Sequence, residues 1–137
     1  MNKFLILLIC FSLFSCKTYT ISPESFKEQF GNIEYDLSTS KSIIGSIYYN
    51  GYQIKKFIVI DKNEKKEILE NKPSLEMRVT LNNRNRKVFY FDSMKLQNDT
   101  LIGHKSRFFP KMITKIPFND ISKIEIQESG KKIEYKN

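Results

Sequence analysis

Side chains that commonly carry catalysis are scarce in this sequence of 137 residues. His104 is the only histidine, and it lies between Gly103 and Lys105, where nearby positive charge disfavours its protonation. A serine activated by histidine also needs a carboxylate to orient the imidazole, and the sequence places none beside His104. The Gly-x-Ser-x-Gly turn of serine hydrolases is also missing from the sequence. We therefore interpret His104 as a structural or surface residue.

A metal site or bound cofactor is not indicated either. Zinc sites need three or four nitrogen or sulfur ligands, whereas the chain offers one histidine and two cysteines, Cys10 and Cys16, near its N-terminus. The segment 61–64, Asp-Lys-Asn-Glu, lacks the longer loop of ligands that calcium binding requires, so we interpret it as a turn. A glycine-rich phosphate loop is absent from the sequence. The sequence therefore predicts no metal and no cofactor.

Basic side chains are concentrated in one part of the chain. The formal net charge is +8, and the excess lies in residues 77–118, where nine Lys and Arg side chains face only Asp92 and Asp99. Adjacent strand residues point to opposite faces, so one of two neighbouring phenylalanines in this region can be exposed beside basic side chains. Such a combination suits a lipid headgroup or a protein partner. The residues that we predict to bind such a partner are Arg78, Arg84, Arg86, Lys87, Arg107, Phe108, Phe109 and Lys111. The alternatives are a solvated charged face and two phenylalanines buried in the core.

The first sixteen residues indicate where the protein acts. Lys3 precedes an apolar run over residues 4–14, and the run ends on Ser15-Cys16 before the composition becomes polar. A charged head, an apolar core of about 7–15 residues and a small residue before the cleavage site are typical of a secretory signal. The run is too short to cross a bilayer, which needs about 20 apolar residues. The sequence therefore predicts an exported protein.

The end of this run resembles the lipobox, the processing site of bacterial lipoproteins. In Leu13-Phe14-Ser15-Cys16 a leucine lies three residues before the cysteine and a small residue lies directly before it. The resemblance implies that a signal peptide over residues 1–15 is removed and that Cys16 receives a diacylglycerol on its thiol. Phe14 departs from the family pattern, which prefers a smaller residue there. The alternative is a plain secretory signal with an incidental cysteine.

The composition of the chain, rich in Lys, Ile and Asn and without Trp, together with Ser15-Cys16-Lys17, is similar to that of small lipoproteins of Bacteroidota. The resemblance implies a protein anchored by lipid in the bacterial cell envelope, with the outer membrane favoured over the inner one. Cys10 would leave with the signal peptide and Cys16 would carry the lipid, so no disulfide is expected.

A single β-rich domain is predicted over residues 23–137, after a lipid-anchored tether over residues 16–22. The hydrophobic content of 40% is sufficient for a packed core. A brief N-terminal helix is expected to begin after Ser22 as its cap, to place Phe26 and Phe30 on one face, and to end at a left-handed Gly31.

Short β-prone runs separated by turn signals follow this helix. Residues 32–42 read as a loop or irregular strand, Asn50-Gly51 predicts a hairpin turn, and residues 57–60 predict a buried strand. From Leu75 onward the order is strand, hairpin, strand, strand, one helical turn, strand, which looks like an SH3-like or Sm-like small barrel. The predicted fold class is therefore mainly β, a small antiparallel barrel or sandwich with one short N-terminal helix.

These observations together predict a membrane-anchored envelope lipoprotein that acts as a non-catalytic binding or interaction module. Its expected partners are the membrane, through lipidated Cys16, and an anionic lipid, a glycolipid or an envelope protein; nucleic acid is not expected outside the cytoplasm. The alternative is a small envelope hydrolase that uses two carboxylates, which the sequence does not identify. A deep pocket with a close carboxyl pair would favour the hydrolase, and an exposed basic patch with Phe108 or Phe109 the binding module.

Replacing Cys16 by Ala tests the anchor. We expect Cys16→Ala to move the protein from the membrane pellet to the soluble envelope fraction, because acyl chains bind membranes with about 0.8 kcal/mol per buried CH₂. Cell fractionation followed by immunoblotting measures the distribution. Cys10→Ala, which alters the other cysteine, is the matched control and should leave the protein in the pellet. A Cys16→Ala variant that still sediments with membranes contradicts the lipid anchor.

Overall fold

The fold is seen in a computed structural model of the chain. Backbone alone is described for residues 35–42, 45–52, 92 and 134–135. Residues 1–16, which include Cys16 and the predicted signal peptide, lie outside the described part. The described residues are 17–33, 35–42, 45–52, 55–106, 109, 111–129 and 134–135.

Within these ranges the chain forms twelve β-strands, one α-helix and two 3-10 turns. The strands are β1 (Thr18–Ile21), β2 (Tyr35–Ser42), β3 (Gly45–Tyr52), β4 (Lys56–Ile60), β5 (Lys66–Glu70), β6 (Leu75–Leu81), β7 (Arg86–Tyr90), β8 (Lys95–Gln97), β9 (Thr100–His104), β10 (Ile113–Pro117), β11 (Ile121–Glu128) and β12 (Glu134–Tyr135). The helix α1 spans Pro23–Phe30, and the 3-10 turns span Phe91–Ser93 and Phe118–Asp120.

Six strands form one open antiparallel sheet in the order β5-β4-β1-β11-β6-β7, which we call the large sheet. Two smaller sheets have the orders β10-β9-β8 and β12-β2-β3. The turn Phe91–Ser93 leads from β7 of the large sheet into β8 of the second sheet. The predicted fold class is confirmed: the chain is mainly β and antiparallel, like a small sandwich or barrel whose sheets are not closed.

From Leu75 onward the chain begins and ends with the predicted elements, but four strands and one additional 3-10 turn, instead of two strands, lie between the turn after β6 and the helical turn before β11. The hairpin β6–β7 precedes β8, β9 and β10, and the turn Phe118–Asp120 precedes β11. Strand β11 then pairs along β6, which brings the last long strand of this part back to its first. Pro117 ends β10 at the edge of the second sheet, where a residue without a backbone N–H is tolerated.

The chain enters the fold earlier than the sequence predicts. Residues 18–21, predicted as part of a tether over 16–22, form β1 in the interior of the large sheet. Every residue of β1 pairs with β11, and Thr20 also pairs with β4. Tyr19 and Ile21 are buried. The tether prediction is therefore wrong for these four residues, because two apolar side chains alternate with two threonines, as in a half-buried strand.

One prediction for the middle of the chain is wrong. Asn50 and Gly51 lie within β3 and pair with Leu37 and Asp36 of β2, so they form no hairpin turn. Of the two alternatives for residues 32–42, a loop or an irregular strand, the structure has a strand, which is β2. Pairing over the full length of two eight-residue strands outweighs the local turn preference of one Asn-Gly step.

Strand β4 is present, but only one of its faces is buried. Phe57 and Val59 point into the core, whereas the side chain of Ile58 is 47% exposed. A helix side chain completes the hydrogen bonding of this strand beyond the end of β1. The Gln29 side-chain oxygen accepts the Ile58 N–H at 2.7 Å, and its nitrogen donates to the Ile58 carbonyl oxygen at 3.0 Å. The Gln29 side chain therefore supplies the pairing that β1 no longer provides.

Helix α1 forms with its predicted cap and its predicted aromatic face, and it covers one side of the core. The Ser22 hydroxyl accepts the N–H of Ser25 at 3.2 Å and caps the helix. Phe26 and Phe30 are fully buried, and their ring centroids are 4.6 Å apart. The Phe30 ring also meets the Phe91 ring edge to face at 5.5 Å. The helix thus joins the large sheet and the turn after β7 through one aromatic cluster.

The end of this helix differs from the prediction. Gly31 has φ −64° and ψ −28°, which is right-handed rather than left-handed backbone. Its N–H donates to the Lys27 carbonyl oxygen at 2.8 Å. A Cβ atom on Gly31 would lie 2.6 Å from that oxygen. Close approach, and not a positive φ, therefore explains the glycine.

The aromatic cluster makes a direct stability prediction. Phe30→Ala should lower the free energy of unfolding by about 3–5 kcal/mol, because it leaves a cavity among buried rings. Phe109→Ala, at a site 63% exposed, is the matched control and should change it by no more than about 0.5 kcal/mol. Urea unfolding followed by circular dichroism measures both. Equal effects of the two substitutions contradict the packing described.

Candidate functional site

The residues predicted to bind a partner do not form one continuous surface. Arg84 lies in the turn between β6 and β7, with left-handed backbone at φ 66°, and Arg86 is the exposed first residue of β7. Lys87 is half-buried beside it. Arg78 lies within β6, where its Nη2 donates to Gln127 Oε1 at 3.3 Å. We call residues 82–86 the basic turn.

Local hydrogen bonds fix the basic turn. The Arg84 N–H donates to the Leu81 carbonyl oxygen at 2.8 Å, and the Leu81 N–H donates to the Asn85 carbonyl oxygen at 2.8 Å. The Asn82 N–H donates to the carbonyl oxygen of Asp120, also at 2.8 Å. The last of these bonds ties the basic turn to the 3-10 turn that follows β10.

The other predicted residues belong to the connection between β9 and β10, residues 105–112, which we call the β9–β10 loop. Arg107 and Phe108 lie outside the described residues. Phe109 is 63% exposed, and Lys111 is also exposed. The Met112 N–H donates to the Phe109 carbonyl oxygen at 3.0 Å, so a backbone turn presents the phenylalanine to solvent.

Sequence reasoning missed three residues that complete this loop surface. Met112 is 51% exposed and Ile113, at the start of β10, is 47% exposed. Lys105 is exposed at the other side of the loop, and its N–H donates to the Met112 carbonyl oxygen at 3.3 Å. The signal that could have identified this surface is the pair Met112-Ile113 directly after Lys111. The result is an exposed apolar surface with lysines on both sides.

The basic turn and the β9–β10 loop lie at opposite ends of β10. The basic turn is bonded to Asp120, three residues after the end of β10, whereas Met112 of the loop directly precedes its first residue. Five residues of extended strand span about 15 Å. The structure therefore divides the predicted binding residues into two surfaces, with Arg78 on the outer face of the sheet between β11 and β7.

A cleft of about 480 Å³ lies beside the start of β1 and contains two carboxylates, Asp61 and Glu67. Asp61 Oδ1 accepts the backbone N–H groups of Lys65 at 2.9 Å and of Asn63 at 2.8 Å. These hydrogen bonds, first that from Lys65, lower the pKa of the Asp61 carboxyl from its ordinary value. A general acid requires the opposite shift. Asp61 therefore closes the turn after β4, as the sequence predicts for segment 61–64.

A second cleft, of about 600 Å³, lies between α1 and the turn Phe118–Asp120. Its charged lining residues are Glu24 and Lys27. The Lys27 ammonium also lies 5.5 Å from the centre of the Phe118 ring, which covers the core at this end. The contact of Lys27 with Phe118 stabilises the attachment of the helix to the sheet, and Glu24 is the one carboxylate among the described residues that line this cleft.

Comparison with known protein families, with curated proteins and with solved structures finds no match for this chain. Within the described part of the chain, none of the helices combines the length and the apolar character that crossing a membrane requires. The same residues include no group of three or more His, Cys, Asp or Glu that could hold a metal ion. We therefore infer the function from the basic turn, from the β9–β10 loop and from the position of β1, the first strand of the fold.

The lowered pKa of Asp61 predicts a pH-dependent contribution to stability. Because the folded-state pKa lies below the unfolded one, the contribution is present above the unfolded pKa and is lost as the pH falls through the folded pKa. Asp61→Asn should therefore lower the urea midpoint at about pH 7, and the difference from wild type should shrink at about pH 3.

Glu64→Gln, which removes one negative charge from the same turn, is the control for charge loss in this experiment. Urea midpoints of all three proteins at the two pH values give the comparison. A difference between wild type and Asp61→Asn that stays constant or grows as the pH falls contradicts the assigned hydrogen bonds.

Proposed function

We propose that this protein is a lipid-anchored lipoprotein of the bacterial cell envelope and acts there as a non-catalytic binding module, with the lipid on Cys16. The observation that supports this proposal is the start of β1 at Thr18. The apolar run of residues 4–14 is thus followed almost at once by a strand of the folded domain. Such a short connection fits an acylated first residue that holds the domain against a bilayer.

The distance from the proposed anchor to the fold is small. Cys16 is two residues before Thr18 in the sequence. Consecutive Cα atoms are about 3.8 Å apart, so a connection of two residues reaches at most about 7.6 Å. Strand β1 is hydrogen-bonded to β4 and β11 on its two sides, which prevents it from extending as a tether. The end of the large sheet at Thr18 is therefore the end nearest the membrane in this proposal.

The basic turn lies toward the opposite end of the sheet. Thr18 is level with Gln127 of β11 and Glu76 of β6, and β6 continues five residues further to Leu81 before the turn begins. At about 3.4 Å per residue this is about 17 Å, compared with a screening length of about 8 Å at physiological ionic strength. When the sheet stands on its anchored end, the basic turn is beyond the field of the anchoring leaflet.

The partner that best fits the basic turn is an anionic surface facing the protein, either an envelope protein or a glycolipid of another membrane surface. Arg84 and Arg86 are exposed and close in sequence, and the guanidinium group binds carboxylate and phosphate through paired hydrogen bonds. The hydrolase alternative gains no support from the cleft at Asp61, where the shift of the pKa is opposite to that of a general acid.

Capture of one vesicle population by another tests this orientation. Purified full-length protein is anchored in zwitterionic vesicles, and free anionic vesicles are then added. Wild type should capture the anionic vesicles, and Arg84→Glu with Arg86→Glu should reduce capture at least about fivefold, as should salt at about 0.5 M. Light scattering and co-sedimentation of a labelled lipid measure capture.

Lys62→Glu with Lys66→Glu is the matched control, since it reverses two exposed charges in the turn after β4 and at the start of β5, near the anchored end. It should leave capture within about twofold of wild type. Equal losses in the two double variants mean that net charge alone matters, and they reject the basic turn as the binding surface.

A further inference from the structure

We propose that the described residues Lys105, Phe109, Lys111 and Met112 of the β9–β10 loop form with Ile113 a second membrane contact. This contact lies on the same leaflet as the lipid anchor and holds the domain upright. This inference rests on the proposed anchoring through Cys16. The ligand is the anionic surface of a phospholipid bilayer, with apolar side chains entering between headgroups whose phosphates meet the lysines.

The composition of the loop surface is that of a membrane-interface segment. Phe109, Met112 and Ile113 are 63%, 51% and 47% exposed, and the exposed Lys105 and Lys111 lie beside them. Residues 100–119 contain no Asp or Glu. Apolar side chains together with basic ones bind anionic bilayers by combining burial with charge attraction. The charge complementarity therefore favours contact of the loop with a lipid surface over exposure of the loop to water.

The position of the loop agrees with the position of the anchor. Gly103 packs against the ring of Phe89, so closely that a Cβ atom on Gly103 would lie 2.4 Å from the ring. Phe89 pairs with Met77, Met77 pairs with Ile126, and Ile126 pairs with Tyr19. Gly103 is thus level with the row of the large sheet that contains the second residue of β1, and the loop begins two residues later.

Lateral separation makes the two contacts complementary. From β1 to β7 there are three strand spacings, through β11 and β6, which amount to about 14 Å. One attachment point leaves the domain free to tilt, whereas two points separated by this distance oppose tilting. The loop contact can be weak by itself, because the anchor keeps it at a high effective concentration near the bilayer.

The exposed pair on β4 and β5 does not share this position. Ile58 pairs with Ile68, two residues before Ile60, which is level with Thr20 of β1. Along the strand direction, Ile58 and Ile68 therefore lie two residues further from Thr18 than Ile60 does. Ile68, which is 71% exposed, is a suitable control for an exposed apolar side chain away from the membrane.

The absence of tryptophan from the sequence allows a direct test. Full-length protein carrying either Phe109→Trp or Ile68→Trp is reconstituted into anionic vesicles whose acyl chains are brominated. Bromine quenches only a tryptophan that enters the acyl region. We expect quenching for Phe109→Trp at least about threefold stronger than for Ile68→Trp, and Lys105→Glu with Lys111→Glu to reduce it by about half.

Flotation of the same samples with zwitterionic vesicles reports the lipid anchor separately. Flotation with no difference in quenching between the two variants overturns the loop contact and leaves the anchor standing. Loss of flotation with selective quenching of Phe109→Trp on anionic vesicles overturns the anchor and supports the loop contact. The tryptophan emission of Phe109→Trp could instead be unchanged by lipid and shift to shorter wavelength when native envelope extract is added. That result indicates a protein partner and also overturns the loop contact.

Discussion

The pairing of β1 between β4 and β11 is the constraint on which the rest of this structure depends. It commits residues 18–21 to the interior of the large sheet, with Tyr19 and Ile21 in the core. Residues 18–21 therefore cannot act as an extended tether. If Cys16 carries lipid, as we propose, the bilayer lies next to one defined end of the sheet, and the positions of all other surfaces follow from strand register.

Register then relates surfaces that are far apart in sequence. Phe89 connects the row of Tyr19 to Gly103, which places the end of β9 at the level of the Thr18 end of the large sheet. The bond from Asn82 to Asp120 keeps the basic turn at the other end of β10. A domain whose proposed membrane contacts lie at one end and whose exposed Arg84 and Arg86 lie toward the other is suited to the linking role that we propose, between a membrane and an anionic partner.

Much of the fold was predictable because local patterns agreed with the final packing. The strand that begins at Leu75 and the capped helix with Phe26 and Phe30 were predicted from short-range patterns, and the structure confirms both. The prediction of a turn at Asn50-Gly51 was wrong because it rested on the local preference of two residues. The pairing of β2 with β3 involves both strands over their full length. The tether prediction was wrong for residues 18–21 because it rested on their position just after Cys16. Their alternation of threonines with apolar residues was not considered. The candidate surface was only partly predictable, since sequence proximity does not reveal that β10 separates Arg84 from Lys111.

Intact-mass analysis of the protein purified from its native membrane is the most direct test of the lipid anchor. A lipid anchor requires a chain that begins at Cys16 and carries the added mass of a diacylglycerol, with a further acyl chain when the new N-terminus is also acylated. An uncut chain of 16.2 kDa, or a cut chain whose Cys16 thiol is free, contradicts it. Either result would remove the reason for placing the start of β1 against a bilayer.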